Sequence, residues 1–475
     1  MQEKYKYLTK NTALFAISSF GSKILSFLLV PLYTNILTTS EYGIADVITT
    51  TGTLIMYICT LDVADGVLRF VLDRQDKKEE IFSFGSRVLV YGSLISAFVL
   101  AAIWQFGVFN WPVGYYISAF LYFFFNATYD ILSKYLRAIE KVRDVAIAGL
   151  ISSAGVIVGN ILFLLVFRIG MYGYLIALIM GPLLGTLYSI IRSGLRPSSF
   201  VQCTCEKTMQ KEILCYCIPL IFNNLALWIN AFLDKYFVTA ICGSAENGVY
   251  AVASKIPTIL ATCYTIFSQA WTLSAIKEFD REDSDGFFGK TYGLFNAAMC
   301  IVCSGIIIFN IPLARFLYAK DFFVAWQYSS VLLISVMFNS LTSFQGGLFS
   351  AAKESKTIAS TTILSAVVNT VLNAIFIPVW GAFGAAMATV AAYVVMWCAR
   401  LIKSREFIKM RITIKKDILV YILLVLQVFF EHLEGHWYPI QVAIVVAIVL
   451  IHRKYLEKIF STIVRVGKGK RSERE

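Results

Sequence analysis

Apolar runs long enough to cross a bilayer follow one another almost without a gap from residue 12 to residue 452. Crossing the hydrocarbon core as a helix takes about 20 apolar residues, and only a helix or a closed barrel satisfies the backbone there. The runs place spans at 12–37, 43–70, 82–105, 113–136, 144–167, 171–191, 213–241, 246–275, 288–310, 325–350, 357–379, 382–402, 416–431 and 438–452. About fourteen spans of this length leave only short connections, so no large extramembrane domain fits. Composition agrees: 15% of the residues are charged, against about 25% in a soluble domain.

Charge sets the orientation. The net charge of +12 would raise nucleic acid as a partner for a soluble chain. Here most of the 42 Lys and Arg residues fall in alternate connections: the N-terminus, 71–81, 137–143, 192–212, 276–290, 351–356, 400–416 and the C-terminus. The opposite connections hold Arg168, Arg315 and Lys320. This asymmetry marks the basic side as cytoplasmic. It places both termini there, implies an even number of spans and removes the case for nucleic acid. The basic start, MQEKYKYLTK, precedes a full-length span with no small-residue cleavage site, and so reads as the approach to a first transmembrane helix. The ten cysteines are scattered, and neither a disulfide framework nor a metal site is expected from them.

The chain repeats itself. Glu41-Tyr42-Gly43-Ile44 opens the second span and Glu246-Asn247-Gly248-Val249 the eighth. Asn160-Ile-Leu-Phe163 matches Asn373-Ala-Ile-Phe376, and Gly170-Met-Tyr-Gly173 matches Gly381-Ala-Phe-Gly384. The order is shared and the offset nearly constant. Because an even number of spans separates the copies, they run parallel about an axis along the membrane normal. The expected fold is therefore all-α and polytopic, with two parallel six-helix lobes around a central cavity and two further helices. The lobes fall at 1–200 and 201–405, and 406–475 holds the added helices and a basic tail. Such halves are the general plan of an alternating-access transporter.

No phosphate-binding glycine loop, HExxH or nucleophile elbow occurs, so no enzyme chemistry is expected. The informative residues are charges inside spans. A charge at mid-bilayer costs roughly 2.5–3.5 kcal/mol on insertion scales and must pair, snorkel or face a cavity. Asp62, Asp65 and Arg69 recur at helical spacing near the basic end of the second span, with Asp130 and Lys134 available as partners. They suit an ion-pair cluster at the inner mouth, structural or gating. Lys23 sits mid-span beside Ser19, Ser22 and Ser26. Lys255 heads a stripe of Thr258, Thr262, Thr265 and Gln269, and the second span carries Thr50, Thr53, Tyr57 and Thr60 at one constant offset. Repeat-related polar stripes suit the lining of an aqueous cleft, and a dry interface bonded by Ser and Thr is the competing arrangement. In the seventh span Asn223, Asn230 and Asp234 share a face with Lys235 beside it. Asp234, Lys235 and Asp46 suit an outer gate or a site for a coupling ion, H+ or Na+. The sequence leaves both open, and no other cofactor is expected.

The basic N-terminus, the segment Ser19-Phe-Gly-Ser-Lys-Ile-Leu-Ser-Phe27, Pro31, the two Glu-x-Gly openings and the two Gly-x-x-Gly starts together resemble the Wzx-type polysaccharide flippases. These sit in the superfamily that also holds MATE antiporters and lipid II flippases. The resemblance covers essentially the whole chain. It implies a transporter of the bacterial cytoplasmic membrane that moves polyprenyl-diphosphate-linked oligosaccharide between leaflets. Lys23 and Lys255 would attract the diphosphate and the polar stripes would hydrate the sugars. The partners implied are the lipid-linked substrate, membrane lipids, and a polymerase with its chain-length machinery. Lipid II flippases carry several central arginines, whereas this chain offers lysines, which points away from lipid II. Two other readings compete: an ion-coupled antiporter of cationic drugs using Asp234 or Asp46, and an enzyme or scaffold of the same pathway.

Overall fold

The computed structural model describes residues 27–107, 109, 111–195, 205–410, 413–433, 438–453 and 455. Among the described residues the secondary structure is helical throughout, with no strand. In order, α1 spans Val30–Ile36, α2 Thr39–Cys59, α3 Val63–Asp73, α4 Lys78–Gln105, α5 Val113–Ala138, α6 Val142–Asn160, α7 Met171–Ser193 and α8 Lys207–Cys242. Then come α9 Ser244–Ala253, α10 Pro257–Lys277, α11 Phe287–Ile308, α12 Asn310–Leu317, α13 Trp326–Ala351, α14 Ser355–Phe407, α15 Ile414–His432 and α16 Tyr438–Ile451. Among the described residues eight helices are long and apolar enough to cross a membrane, and a ninth is added if α9 and α10 form one broken span. The chain is a multi-pass membrane protein. The expected spans from 43 onward fall largely on helix, with that at 43–70 broken at 60–62 and that at 246–275 broken at 254–256, and most of the first lies outside the described residues.

Two compact units divide the chain: residues 1–251 with 317–322, and 252–316 with 323–475. In the first, α6 and α7 pack through small residues. A side chain at Gly155 would meet Gly181 and Leu184, and one at Gly159 would meet Ala177. This four-residue spacing of small residues lets helix backbones approach closely in lipid, where no hydrophobic effect drives them together. In the second unit, α10 and α13 join through Trp271, which stacks on Phe344 at 4.1 Å between centroids and donates its Nε1–H to the Phe344 carbonyl at 2.9 Å.

The internal repeat is visible in the backbone of each unit. Gly170, at the N-cap of α7, has φ 65° and ψ −139°. Gly381, inside α14, has φ 58° and ψ −143° and breaks that helix in two. Only glycine takes this conformation without strain. Gly173 then lies against the Phe163 carbonyl, and Gly384 against the Phe376 carbonyl. The matched motifs of the sequence thus make the same turn and the same close contact twice.

Candidate functional site

The first Glu-x-Gly motif works through both of its named residues. Thr38 precedes α2 and accepts from the Glu41 amide at 3.2 Å, while the Glu41 carboxylate accepts from the Thr38 amide at 2.9 Å. This reciprocal cap fixes where α2 begins. Two residues on, Gly43 packs against the backbone of α9 at Ser244 and Gly248. Asn247 donates its amide to the Gly43 carbonyl at 3.0 Å, and Ser40 and Ser244 hydroxyls lie 2.7 Å apart. The two copies of the motif therefore pack on each other. Beside this crossing Tyr33 stacks on Tyr42 at 5.3 Å, with Tyr174 and Phe322 around them.

One turn further along α2, Asp46 accepts from Lys235 Nζ at 2.8 Å, both side chains being largely buried. Asp234 next to it accepts from the Lys235 amide at 2.9 Å and from the Tyr250 hydroxyl. The second oxygen of Asp46 is buried without a hydrogen-bond partner. Two carboxylates and one ammonium thus sit together with little exposed surface. Such groups persist only when paired. Thr51 and Tyr236 bond at 2.6 Å on the neighbouring faces of α2 and α8.

A second cluster lies roughly 24 Å along from Asp46, at 1.5 Å per residue. Leu61 and Asp62 both take left-handed φ values of 51°, which ends α2 and starts α3. Lys134 on α5 reaches Asp65 at 2.8 Å and Asp130 at 3.3 Å. Asn224 on α8 donates to Asp62 at 2.8 Å. Three carboxylates from α3, α5 and the turn before α3 thus gather around one ammonium. Below them Arg74 pairs with Glu212 at 2.9 Å and Lys77 with Glu206 at 3.1 Å, all at the surface.

The sequence-derived residues meet this geometry unevenly. Asp46, Asp234 and Lys235 come together, and so do Asp62, Asp65, Asp130 and Lys134. Arg69 stands apart and pairs with Asp73 at 3.2 Å, because Asp62 sits in a turn rather than on the face of α3. Asn230 is buried and donates to the Ala226 carbonyl at 3.0 Å, and Asn223 is half-buried while its neighbour Asn224 holds Asp62. Lys255 falls in the break between α9 and α10. The threonines turn back on their own helices: Thr53 to the Thr49 carbonyl, Thr258 to Lys255, Thr262 to Thr258 and Thr265 to Ala261. Thr50 is buried and Tyr57 half-buried. Lys23 and the Gln269 side chain lie outside what the structure describes.

Sequence reasoning passed over Tyr250, Asn224 and Asn247. The first two sit one residue from or one helix beyond the residues singled out, and their partners come from distant segments. It also passed over the buried polar residues of the second unit, where α15 was read only as a short added span. Among the described residues no group of His, Cys, Asp and Glu could hold a metal ion.

Residues 8–276 match the polysaccharide biosynthesis protein family. The chain belongs to that family. Among solved structures this family member resembles the lipid II flippase MurJ in its inward closed conformation, with a TM-score of 0.69 at 17% identity over 95% of this chain and 100% of that one. It also resembles an inward-facing multidrug resistance MATE family transporter of the MOP superfamily, with a TM-score of 0.61 at 14% identity over 81% of this chain and 98% of the other. A MOP superfamily transporter from Pyrococcus furiosus, described as having a binding pocket of reversed polarity, follows with a TM-score of 0.51 at 13% identity over 83% and 96%. At these identities the likeness shows the fold of the polysaccharide biosynthesis family member and no more. No curated protein sequence matches at a significant level.

Proposed function

We propose that the protein is a flippase that carries polyprenyl-diphosphate-linked oligosaccharide across the bacterial cytoplasmic membrane by alternating access, for the synthesis of a surface polysaccharide. One observation carries this reading: a member of the polysaccharide biosynthesis family has, over nearly its whole length, the fold seen in the lipid II flippase MurJ. The placement of charge supports it. The acids and lysines of α2, α3, α5 and α8 are paired inside the protein, as expected where side chains adjoin a pathway rather than lipid.

In this reading the two lobes follow the sequence repeat, at 1–200 and 201–405, and both termini are cytoplasmic. Lys23 and Lys255 attract the diphosphate as point charges, and the threonine stripes of α2 and α10 face the sugars. The Asp46–Lys235–Asp234 group is the gate or the site of a coupling ion, H+ or Na+. A polymerase and its chain-length machinery receive the product.

The test is mass spectrometry of lipid extracts from host cells depleted of the protein. Accumulation of a polyprenyl-diphosphate oligosaccharide with loss of one surface polymer is the expected result, and its mass names the sugar. Polymer still made and no precursor accumulating, in a host stripped of related flippases, would overturn the reading in favour of drug or cation antiport. Loss of polymer without precursor would favour a scaffold.

A further inference from the structure

Three oxygens buried in the second unit lack hydrogen-bond partners: Glu431 Oε2 on α15, Asn310 Oδ1 on α12 and Ser330 Oγ on α13. They belong to one neighbourhood. Asn310 donates its amide to Glu431 Oε1 at 2.9 Å and to the Trp326 carbonyl at 2.9 Å, and Ser330 lies beside the Glu431 carboxyl. Glu431 is 6% exposed. An ionised carboxylate so placed needs a cation, because desolvation of an unpaired charge costs more than one neutral amide returns.

Among the described residues no cation is supplied. The neighbouring elements carry Arg315 on α12, which is exposed, Tyr328 on α13, Cys303 on α11 and Tyr438 on α16. On its own helix, His432 is committed through its two ring nitrogens to the Val428 and Gln327 carbonyls at 2.9 and 3.0 Å. Among the described residues none forms an ion pair with Glu431.

We propose that Glu431 carries a proton in the folded protein, and that the pocket it shares with Asn310 and Ser330 is a proton-binding site. A proton on Oε2 turns an orphan acceptor into a donor. It gives Ser330 Oγ the partner it lacks, while Oε1 keeps the Asn310 amide. The proton comes from water and returns to it, and only an O–H bond forms or breaks. Release leaves a buried anion with only neutral neighbours, the Asn310 amide and the Ser330 hydroxyl, so the pocket must admit water or a cation to hold it. Proton occupancy is thereby tied to the packing of α15 against α12 and α13. This site does not depend on what the protein transports, and it shares no residue with the clusters on α2 and α8.

The test is infrared spectroscopy of the full chain in lipid nanodiscs at neutral pH, comparing wild type with Glu431→Gln. The C=O stretch of a protonated carboxylic acid should be present in wild type and lost in the variant, and Ser330→Ala should shift it to the position of a free acid. If both variants are folded and the band is the same in all three proteins, the proposal is overturned. If Glu431→Gln does not fold, Ser330→Ala alone decides, and an unmoved band overturns it. Disappearance of the wild-type band on adding sodium at constant pH would assign the pocket to that ion and equally overturn the proton. None of these outcomes bears on the flippase reading, which stands or falls on the lipid extracts.

Discussion

Gly43 and Gly248 meet backbone to backbone, each sitting where a side chain would strike the other helix: the Ser244 carbonyl in one case, the Thr39 carbonyl in the other. Valine at either position must push α2 and α9 apart. Gly43→Val and Gly248→Val are each expected to destabilise the protein by about 1–3 kcal/mol, the usual range for overpacking. Thermal unfolding in detergent measures this. Variants that melt with the parent would show that the crossing is not tight.

Lys235 holds Asp46 in a site with little exposed surface. Lys235→Ala strands that carboxylate beside Asp234 and is expected to cost about 3–5 kcal/mol. Asp46→Asn combined with Lys235→Met removes both charges and should recover most of the loss. A double-mutant cycle on denaturation midpoints checks this, and strict additivity would mean that the pair contributes nothing as a pair.

One arginine stands near the end of α7 and another near the end of α14, and they live differently. Arg192 is 54% exposed and pairs with Asp144 at 2.8 Å. Arg400 is 6% exposed and donates to neutral acceptors: Thr361 Oγ1 at 3.0 Å, the Thr342 carbonyl at 2.7 Å and Thr362 Oγ1 at 3.0 Å. Arg192→Ala should cost no more than about 1 kcal/mol. Arg400→Ala should cost at least about 2 kcal/mol, because it leaves buried acceptors unsatisfied. Arg400→Lys should fall between, since an ammonium cannot reproduce the fork. Equal losses at the two positions, read from melting in detergent, would contradict this account.

Much of this was legible in the sequence. Apolar length marks the helices, because lipid demands it of any span. The repeat was legible because glycine is forced at Gly170 and Gly381 by the backbone angle and at Gly43 and Gly248 by contact. The partners of the charges were not. Lys134 could be named as a partner for Asp65 only by its depth in the membrane, and Lys235 and Asp46 come from helices far apart in the chain that no local spacing relates. The left-handed turn at Leu61 and Asp62 was hidden too, since leucine rarely takes it and a lone aspartate does not announce it. That turn takes Asp62 off the face of α3 and leaves Arg69 to Asp73. Glu431 was read as the end of a short span, because its need for a partner shows only when Asn310 and Ser330 are seen beside it.

Asp283, buried ahead of α11, accepts from the Phe288 and Gly289 amides at 2.9 and 3.0 Å. Asp283→Ala should cost about 1 kcal/mol as a lost cap, measurable by hydrogen exchange at the first turn of α11. In the same loop, hydrogen bonds from Ser284 and the Glu282 amide hold the Asp280 carboxyl below its ordinary value. A lowered acid stabilises above its unfolded pKa and loses that contribution as pH falls through the folded one. Protection of this loop relative to intrinsic exchange should therefore fall only in strong acid, and Asp280→Asn should remove that dependence.

Thr53 on α2 and Thr262 and Thr265 on α10 spend their hydroxyl protons on carbonyls of their own helices. Such a face has no hydrogen bond to surrender when water leaves it and none to recover when water returns. It can be flooded in one state and closed against another helix in the next, with nearly the same enthalpy in each. A face of this kind is indifferent to its surroundings, and under the alternating access proposed above it would hold the protein in neither state.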